Sequence, residues 1–332
     1  MLDVLTWPIH GAYMGALARV PVRWTVPVAA GRLGYGGRSR TTDWPPNVIE
    51  VPMDELALRT FDVVVYQHHL HHAVDRLTVL TDEQRATPSI FIEHDPPRSS
   101  PTDTVHPITD PATTVVHVTP YNALMWDTRA PSVVIDHGVE VPAETAPLSR
   151  PMGIAVINDL AARGRRLGAD VYLRARAELP LTLLGMGAAE LGGLGEVAPG
   201  DVTATVSGYR FLFSPIRHTS LGLGILEAMA AGVPVVGLAT TELVTVVHDG
   251  IEGFVDTDLH AVVRRARRLL DDQELALAMG AAARATVASR FGIDRFVADW
   301  HRLLLAVADG RSLPPGMAAA DDERTHRQHV ER

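Results

Sequence analysis

Between Ser214 and Gly253, one stretch of chain combines a glycine-punctuated loop, a helix with a single acid and an apolar strand. Gly222 and Gly224 allow the backbone to approach a ligand closely, and the amides at the start of the helix favour anions. Glu227 is the one charged residue of that helix, which disfavours a purely solvated surface role. A carboxylate so placed accepts hydrogen bonds from neighbouring hydroxyls, so the stretch suits a phosphorylated, sugar-like ligand.

A second candidate phosphate site is the run INDLAARGRR, 157–166, which follows a strand and opens a predicted helix. Arginines at a helix start oppose the helix dipole, and a bound anion would resolve that conflict. We therefore expect Gly164 and the first-turn amides to face a diphosphate, with Arg163 neutralising its charge; a solvated arginine cluster is the alternative. The turn LLGMG is a weaker signal, because Gly185 and Gly187 end a strand where doubly wound domains bind ligands.

Histidines at predicted strand ends are the candidate groups of the first half. His10 and Gly11 follow the first strand, although a turn with a chance histidine would look the same. His94 ends a buried strand, where side chains point toward a ligand; a capped structural turn is the alternative. The run QHHLHH could supply imidazole ligands to a metal ion, but no acid or third ligand occurs at a spacing typical of metal sites. We interpret it as a strand end and helix start, with His68 or His69 facing the ligand.

Apolar runs alternate with helical segments on both sides of residue 150, which predicts an α/β fold with two doubly wound parallel sheets. The predicted strands are 2–6, 24–28, 48–51, 63–66, 90–92, 115–118, 133–135, 153–157, 181–184, 210–213, 234–238 and 253–255, and the long helices are 258–270, 272–289 and 294–308. The proline-rich stretch 141–151 predicts a linker. We expect an N-terminal domain over 1–148, a C-terminal domain over 149–293, a last helix over 294–310 and a disordered tail over 311–332.

The composition excludes several classes of protein. Hydrophobic residues make up 46% of the chain and charged residues 21%, as in globular proteins, and the absence of cysteine excludes disulfides and thiolate metal sites. All 30 basic residues are arginine, so any lysine role passes to arginine. The net charge of −9 argues against a nucleic-acid partner, and 10 Arg against 17 Asp and Glu in residues 1–148 disfavours docking on anionic lipid. With no basic leader and no transmembrane segment in the sequence, we expect a cytoplasmic protein.

The runs LGLGILEAMAAGVPVVG and VVHDGIEGFV resemble the donor-binding segment of retaining glycosyltransferases of family 4. The residues that match the family pattern are Glu227, Ala228, Met229, Gly232, Pro234, Val235 and Val236. The resemblance implies a GT-B fold, in which two Rossmann-like domains face each other across a cleft and the last helix returns to the first domain. It also implies a nucleotide-diphosphate sugar as donor substrate, with no cofactor and no metal.

The resemblance also implies roles for individual residues. The implied catalytic residues are His94, Arg163 and Glu227; the donor-binding residues are Asn158, Gly164, Arg165, Gly185, Gly187, Thr219, Ser220, Leu221, Gly222 and Glu227; and the acceptor-side residues are His10, Gly11 and His68. Glu227 would bind the ribose hydroxyls and Arg163 the diphosphate. Thr219 stands where the family has a first acid, so Ser220 or His218 would share its role. Asn158 stands where the family has an arginine, and Arg165 or Arg166 would replace that charge.

These features support one main hypothesis and one alternative. The chain is expected to transfer a sugar from a nucleotide-diphosphate sugar to the hydroxyl of a glycan, lipid-linked or small-molecule acceptor with retention, as in polysaccharide or lipopolysaccharide synthesis. The alternative is a catalytically weakened GT-B protein that serves as a sugar-nucleotide binder or scaffold, because Thr219 and Asn158 replace ionisable residues of the pattern. A dinucleotide-dependent oxidoreductase is disfavoured, since no G-x-G-x-x-G follows the first strand of either half.

Overall fold

The computed structural model describes residues 1–39 and 44–313. The chain divides into two compact units, the first comprising Met1–His137 with the segment that begins at Asp294, and the second Gly138–Ile293. The second unit therefore begins before the predicted boundary at 148/149, because residues 138–148 pack with it: Val139 donates its N–H to the Phe291 carbonyl. From residue 314 onward, the predicted disordered tail lies outside the described residues.

The first unit is built on a seven-stranded sheet with the order β3-β2-β1-β4-β5-β6-β7, and every neighbouring pair is parallel. Its strands are β1 Asp3–Thr6, β2 Arg23–Val28, β3 Val48–Pro52, β4 Val63–Tyr66, β5 Ser89–Glu93, β6 Thr113–His117 and β7 Ser132–Val134. All four residues of β4 are buried, which explains its continuous VVVY sequence: a central parallel strand has helices on both faces.

The second unit contains a five-stranded parallel sheet with the order β12-β11-β10-β8-β9. Its strands are β8 Arg150–Val156, β9 Leu181–Leu184, β10 Tyr209–Ser214, β11 Val235–Leu238 and β12 Gly253–Asp256. All twelve predicted strands are present, and the predicted α/β class with two doubly wound parallel sheets is confirmed. The order of each sheet reverses once, between β1 and β4 in the first and between β8 and β10 in the second.

Helices cover both sheets. The α-helices are α1 Gly11–Leu17, α2 Arg76–Thr78, α3 Asp82–Ala86, α4 Pro120–Met125, α5 Leu160–Arg163, α6 Ala169–Arg176, α7 Val202–Val206, α8 Leu223–Ala230, α9 Leu243–Val246, α10 Leu259–Asp271, α11 Gln273–Arg290 and α12 Ile293–Ala308. A π-helical turn at His71–Asp75 runs into α2, and 3₁₀ turns occur at Met53–Leu58, Gly164–Leu167, Ala188–Leu191 and Pro199–Asp201. The three long helices α10 to α12 lie within one residue of their predicted bounds.

Helix α12 packs on the first sheet through an apolar stripe. Phe296, Trp300 and Leu303 are buried, and the Phe296 ring meets the Tyr13 ring edge-on with 5.5 Å between centroids. Arg295 donates hydrogen bonds to the carbonyls of Asp136 (2.9 Å) and His137 (2.5 Å), which ties the helix to the chain just after β7. The spacing of these apolar residues, three and four apart, is the reason that this helix could be predicted from the sequence.

Candidate donor-binding site

The order reversal of the second sheet brings two loops together at the carboxyl ends of β8 and β10. Doubly wound sheets bind ligands at such a position because the loops on either side run in opposite directions and leave room between them. The loop after β8 spans 157–168 and the loop after β10 spans 215–222. Most of the predicted donor-binding residues lie on these two loops.

Asn158 joins the loop after β8 to the turn after β9. Its Oδ1 accepts the Met186 N–H at 2.9 Å, and the Asp159 N–H donates to the Met186 carbonyl at 2.7 Å. A Cβ added at Gly185 would lie 2.7 Å from Asn158 Oδ1, so glycine is needed for this approach. Gly185 and Gly187 both have positive φ, and glycine therefore suits this turn for its conformation as well. The structure thus gives Asn158 a bridging role in the protein itself.

The predicted helix after β8 is interrupted at Gly164. Helix α5 ends at Arg163, Gly164 adopts φ +56°, and a 3₁₀ turn leads to Gly168 at φ +80° before α6 begins. Gly164 is therefore both the residue that ends a short helix and the first residue of the next 3₁₀ turn, and its contact with a diphosphate stays a prediction. The physical reason for the interruption is the close packing of Gly168, where an added Cβ would lie 1.9 Å from the Pro215 carbonyl oxygen.

Four arginines lie on these two loops, and one carboxylate organises two of them. Asp170 accepts hydrogen bonds from Arg165 (2.9 Å) and from both terminal nitrogens of Arg217 (2.5 and 2.8 Å). The hydrogen bonds from Arg217 lower the pKa of Asp170 to about 2. Arg163 differs, because its half-buried guanidinium forms no hydrogen bond or ion pair with the residues that the structure describes. It is the arginine best placed to meet a ligand phosphate.

The loop after β10 is held against the loop after β8 by backbone hydrogen bonds. The amides of Arg217 and His218 both donate to the Arg166 carbonyl at 3.1 Å, and Arg166 Nη1 donates to the His218 carbonyl at 3.4 Å. Thr219, the next residue, is half-buried, so the neutral side chain that replaces the family's acid lies on a loop fixed by three hydrogen bonds. A loop held in this way can present the backbone amides of its later residues to a ligand without reorganisation.

Ser220 borders a small cavity that the sequence did not predict. Its side chain is 8% exposed, and its Oγ has no hydrogen-bond partner in the described structure. The cavity, about 10 Å³, is also lined by the hydroxyl side chains of Ser214, Thr240 and Thr241. This is the size of one water molecule, and the lining supplies the polar partners that such a water needs. The pair Thr240-Thr241 follows the apolar strand β11, and polar residues at a strand's carboxyl end were the signal that could have revealed it.

Glu227 lies in α8, with buried neighbours on both sides in the chain. Leu226 and Ala228 are fully buried, and the Glu227 carboxylate, itself half-buried, forms no hydrogen bond or ion pair with any described residue. Burial raises the pKa of Glu227 to about 7. Carrying an unpaired carboxylate in an apolar setting costs stability unless a ligand supplies hydrogen-bond donors.

Gly222 and Gly224, at the start of α8, have different surroundings. A Cβ at Gly224 would lie 2.8 Å from Val156 Cγ1, so this glycine allows the helix to pack on the end of β8. A Cβ at Gly222, the N-cap residue of α8, meets nothing within 4 Å. The protein's own packing therefore does not require glycine at 222. The side chain of Leu221 is buried, which leaves its backbone amide as its possible contribution to a ligand.

In the first unit, the structure brings His10 and His94 together. Their ring centroids are 4.1 Å apart, and Tyr13 meets the His94 ring edge-on at 4.8 Å. Burial, and then the neighbouring His10 and His137, hold the pKa of His94 well below its usual value, so the imidazole is neutral at physiological pH. Its Nε2 is buried without a hydrogen-bond partner among the described residues. Gly11 is the first residue of α1.

The four histidines of QHHLHH point to different surroundings. His68 lies beside His69, with ring centroids 4.2 Å apart, whereas His71 stacks on Trp7 at 5.2 Å and its Nε2 contacts the Leu33 carbonyl at 3.0 Å. His72 meets the Tyr66 ring edge-on. Within 1–39 and 44–313, no group of three or more His, Asp or Glu side chains is arranged to hold a metal ion. Over the same residues, no helix has both the length and the apolar character needed to cross a membrane.

Residues 174–272 match the family described as Glycosyl transferases group 1. The chain is 35% identical over 86 residues to N-acetyl-alpha-D-glucosaminyl L-malate synthase of Bacillus anthracis, a match that covers 25% of this chain and 23% of that protein. It is 36% identical over 120 residues to D-inositol 3-phosphate glycosyltransferase of Streptomyces griseus, covering 36% and 23%. The chain thus spans less than a quarter of the length of either curated relative.

Solved glycosyltransferase structures share the fold over nearly the whole chain. The sucrose-phosphate synthase of Thermosynechococcus elongatus aligns with a TM-score of 0.70 at 14% identity, covering 93% of this chain and 100% of that one. Anabaena HepE in complex with UDP and glucose aligns with a TM-score of 0.65 at 14% identity, covering 92% and 100%. The predicted GT-B fold class and the resemblance to group 1 glycosyltransferases are therefore confirmed, and Glu227 lies within the matched segment.

Proposed function

We propose that this protein is a group 1 glycosyltransferase that transfers a sugar from a nucleoside-diphosphate sugar to an acceptor hydroxyl. The observation that carries the proposal is Glu227, an unpartnered and half-buried carboxylate within the segment that matches the family. A carboxylate that lacks a partner inside the protein is suited to accept hydrogen bonds from a ligand. The vicinal 2′ and 3′ hydroxyls of a ribose supply two such donors, and we assign that contact to Glu227.

The diphosphate is assigned to Arg163. Its guanidinium is permanently charged and has no protein partner among the described residues, so it can offer two parallel N–H donors to phosphate oxygens. During transfer the bond from the sugar to the diphosphate breaks, and negative charge grows on the leaving phosphate. A fixed cation stabilises that charge with no proton transfer. Arg165 and Arg166, on the same loop, add positive charge at the position where Asn158 carries none.

The donor sugar is assigned to the loop after β10. Backbone amides of Ser220, Leu221 and Gly222 would contact it, and the open space around Gly222 leaves room for a ligand to approach. Thr219 offers one neutral hydrogen bond in place of a charge-assisted one, a difference of about 1–2 kcal/mol in sugar binding. The hydroxyl of Ser220 has no partner among the residues that the structure describes, which supports its sharing this role.

We further propose that transfer proceeds with retention and without a metal ion. In this scheme the acceptor oxygen attacks the anomeric carbon on the face that the diphosphate leaves, and the leaving phosphate takes the acceptor proton. The positive charges of Arg163 and its neighbours provide the stabilisation that a metal ion supplies in other transferases. In the first unit, His94 stays a predicted reaction-centre residue, and His10, Gly11 and His68 stay predicted acceptor-side residues.

The acceptor is a hydroxyl compound in this proposal. The two curated relatives carry names that include L-malate and D-inositol 3-phosphate, both of which bear hydroxyls and negative charge. A glycan or lipid-linked acceptor in polysaccharide or lipopolysaccharide synthesis is the other possibility. The cytoplasmic location stays a prediction.

A second candidate function is a sugar-nucleotide binder or scaffold with weak turnover. One observation favours it: Asn158, which replaces an arginine of the family pattern, has its Oδ1 engaged by the Met186 amide. This position therefore contributes no charge to the reaction. The two candidates differ in turnover, since a binder retains nucleotide affinity but transfers no sugar.

A thermal-shift screen followed by a transfer assay tests the proposal. The purified protein is heated with UDP, GDP, ADP, CMP or dTDP and with their common sugar conjugates, and one nucleotide family is expected to raise the melting temperature by several degrees. The sugar conjugate of that nucleotide is then offered with candidate acceptors. Stabilisation with transfer supports the transferase, and stabilisation without transfer supports the binder. No stabilisation by any nucleotide contradicts both of these and favours the scaffold.

A further inference from the structure

A cluster of hydrogen-bond-donating side chains, two imidazoles and one guanidinium, lies where β4 and β5 end, beside the order reversal of the first sheet. It consists of His68 and His69, which follow β4, and Arg98, which follows β5; we call it the His68 cluster. These strands pair in parallel, with Tyr66 opposite Phe91, so their following loops leave the same edge of the sheet. We propose that the His68 cluster binds an oxyanion, the carboxylate or phosphate group of the acceptor; the word acceptor here rests on the proposed function.

A backbone hydrogen bond orients His68 as a donor. The Leu70 N–H donates to His68 Nδ1 at 3.2 Å, so in the neutral ring the proton is on Nε2. His68 is partly buried and His69 is exposed. Each ring therefore keeps one N–H donor even when it is uncharged, and in His68 that donor is on Nε2. Because Nδ1 is already engaged, this geometry also suits anion binding better than metal binding, which needs a free lone pair.

Arg98 extends from a loop that is held rigidly at several points. The Asp95 N–H donates to Glu93 Oε1 at 2.9 Å, and the Trp126 indole N–H donates to the Asp95 carbonyl at 2.8 Å. The Asp95 carboxylate accepts a hydrogen bond from Arg98 at 2.5 Å, and the two prolines between them are buried. The guanidinium is 60% exposed, so most of its donors remain available to a ligand.

The charges around His68 leave a place for an anion. Burial lowers the pKa of His68 first, and the remaining influences, from His69 and Arg98, are both positive. His71 is the other ring nearby, with 5.8 Å between its centroid and that of His68. Groups of like charge repel one another, and an oxyanion among them would replace repulsion with charge-assisted hydrogen bonds.

The position is also where a second substrate belongs in this fold. The carboxyl edge of a doubly wound sheet, next to the order reversal, is the usual place for a ligand. Within the first unit this edge also carries His10 and His94, the predicted acceptor-side and reaction-centre residues. An anion held at the His68 cluster would fix one end of a small hydroxyl compound at this edge.

Histidine ring NMR on the whole protein, without nucleotide, tests this inference. Inorganic phosphate, succinate and uncharged glycerol are titrated at constant ionic strength while the ring resonances of His68 and His69 are followed. Saturable shifts are expected with phosphate, with succinate or with both, at a Kd of about 1–10 mM, and none with glycerol. The two anion arms distinguish a phosphate-bearing from a carboxylate-bearing acceptor. Absence of saturable shifts with both anions would overturn the inference.

Matched variants complete the experiment. Arg98→Gln is expected to weaken anion binding at least about fivefold, whereas Arg59→Gln, an exposed arginine elsewhere in the unit, leaves it unchanged. His69→Gln provides a second variant if Arg98→Gln does not fold. Equal anion affinity in the wild type and in the folded variants would contradict the proposed site. Because no nucleotide is present, a failure here is distinct from a failure of the proposed transfer, which would show as lost nucleotide stabilisation.

Discussion

The two sheets of this protein present different chemistry at equivalent edges. At the order reversal of the second sheet, the described basic groups are mainly arginines, whose charge does not change with pH; Asp170 pairs with two of them, and the Glu227 carboxylate has no partner among the described residues. At the order reversal of the first sheet, the groups are imidazoles such as His68 and His94, whose pKa values are held low. One scaffold therefore supports an edge of fixed positive charge, suited to a diphosphate, and an edge of imidazoles with one arginine, Arg98, suited to hydroxyls and to the oxyanion proposed above.

The two edges also differ in the groups that they offer to a ligand, backbone amides at one and ring nitrogens at the other. Loops of the second sheet are fixed by backbone bonds and by glycines with positive φ, which brings amides close to a ligand position. The first edge contains contacts between tilted rings, such as His10 with His94 and His68 with His69. Backbone amides and arginines bind charge that is always present, whereas ring nitrogens can donate or accept according to their tautomer.

The largest effect is expected from removing the permanent charge of the second edge. Arg163→Ala should lower the transfer rate by about 100-fold or more, because a fixed cation on a leaving phosphate is worth about 2.7–4 kcal/mol in similar roles. Steady-state kinetics with the donor identified by the thermal-shift screen measure this. Arg174→Ala, an exposed arginine on α6, is the matched control and should be neutral. Equal losses in both variants would show that overall charge, and not this position, is responsible.

A smaller effect is expected from pH on the affinity for the donor, and measuring it would show which of the two edges titrates. Ribose hydroxyls donate to an ionised carboxylate, and burial raises the pKa of Glu227 to about 7. The affinity for a nucleoside-diphosphate sugar should therefore rise by up to about tenfold between pH 6 and pH 8. Calorimetry across this range measures it, and Glu227→Gln should flatten the profile. If the affinity fell as the pH rose, the pH dependence would come from the imidazoles and not from Glu227.

The same raised pKa affects the free protein in the opposite direction. Between about pH 4.5 and 7 the folded state keeps a proton on Glu227 that the unfolded state releases, so the free energy of unfolding decreases as pH rises through this window. Ionisation of Glu227 thus strengthens ligand binding, and in the protein without ligand it lowers the free energy of unfolding. An unpartnered carboxylate that a ligand satisfies has this property.

The smallest effect is expected from the ion pairs that hold the arginine loops. Hydrogen bonds from Arg217 lower the pKa of Asp170 to about 2, so the stability it contributes is present above about pH 4 and is lost as pH falls toward 2. Asp170→Asn should reduce the free energy of unfolding at pH 7 by less than about 1 kcal/mol, since partly exposed pairs are screened. Urea denaturation at pH 7 and pH 2.5 measures this, and the difference between wild type and variant should shrink at the lower pH.

Much of the fold was predictable from local sequence because buried parallel strands require continuous apolar runs. The runs at 63–66 and 181–184 became strands with the predicted bounds, and helices with three-and-four spacing formed within one residue of theirs. The break at Gly164 was not predictable in this way. It depends on Gly168 packing against Pro215, a contact between residues distant in sequence.

The sequence predicted which residue types the candidate site contains, but not which residues form hydrogen bonds and ion pairs with one another. Glu227 stood out because it is an acid in an apolar helix, and none of the residues in 1–39 and 44–313 forms a hydrogen bond or ion pair with it. The bond from the Met186 amide to Asn158 and the pairing of Arg217 with Asp170 join separate loops, so neither could be inferred from spacing. The hydroxyl-lined cavity beside Ser220 was missed for the same reason, since its walls come from three segments of the chain.

The most direct test of the central claim is calorimetric binding of the nucleoside-diphosphate sugar to three proteins: the wild type, Glu227→Ala and Glu274→Ala, an exposed glutamate on α11. The account predicts that Glu227→Ala weakens binding by about 1.5–3 kcal/mol, with an unchanged circular dichroism spectrum, while Glu274→Ala binds like the wild type. Equal affinity in all three proteins would contradict it, because the carboxylate of Glu227 would then have no part in holding the nucleotide.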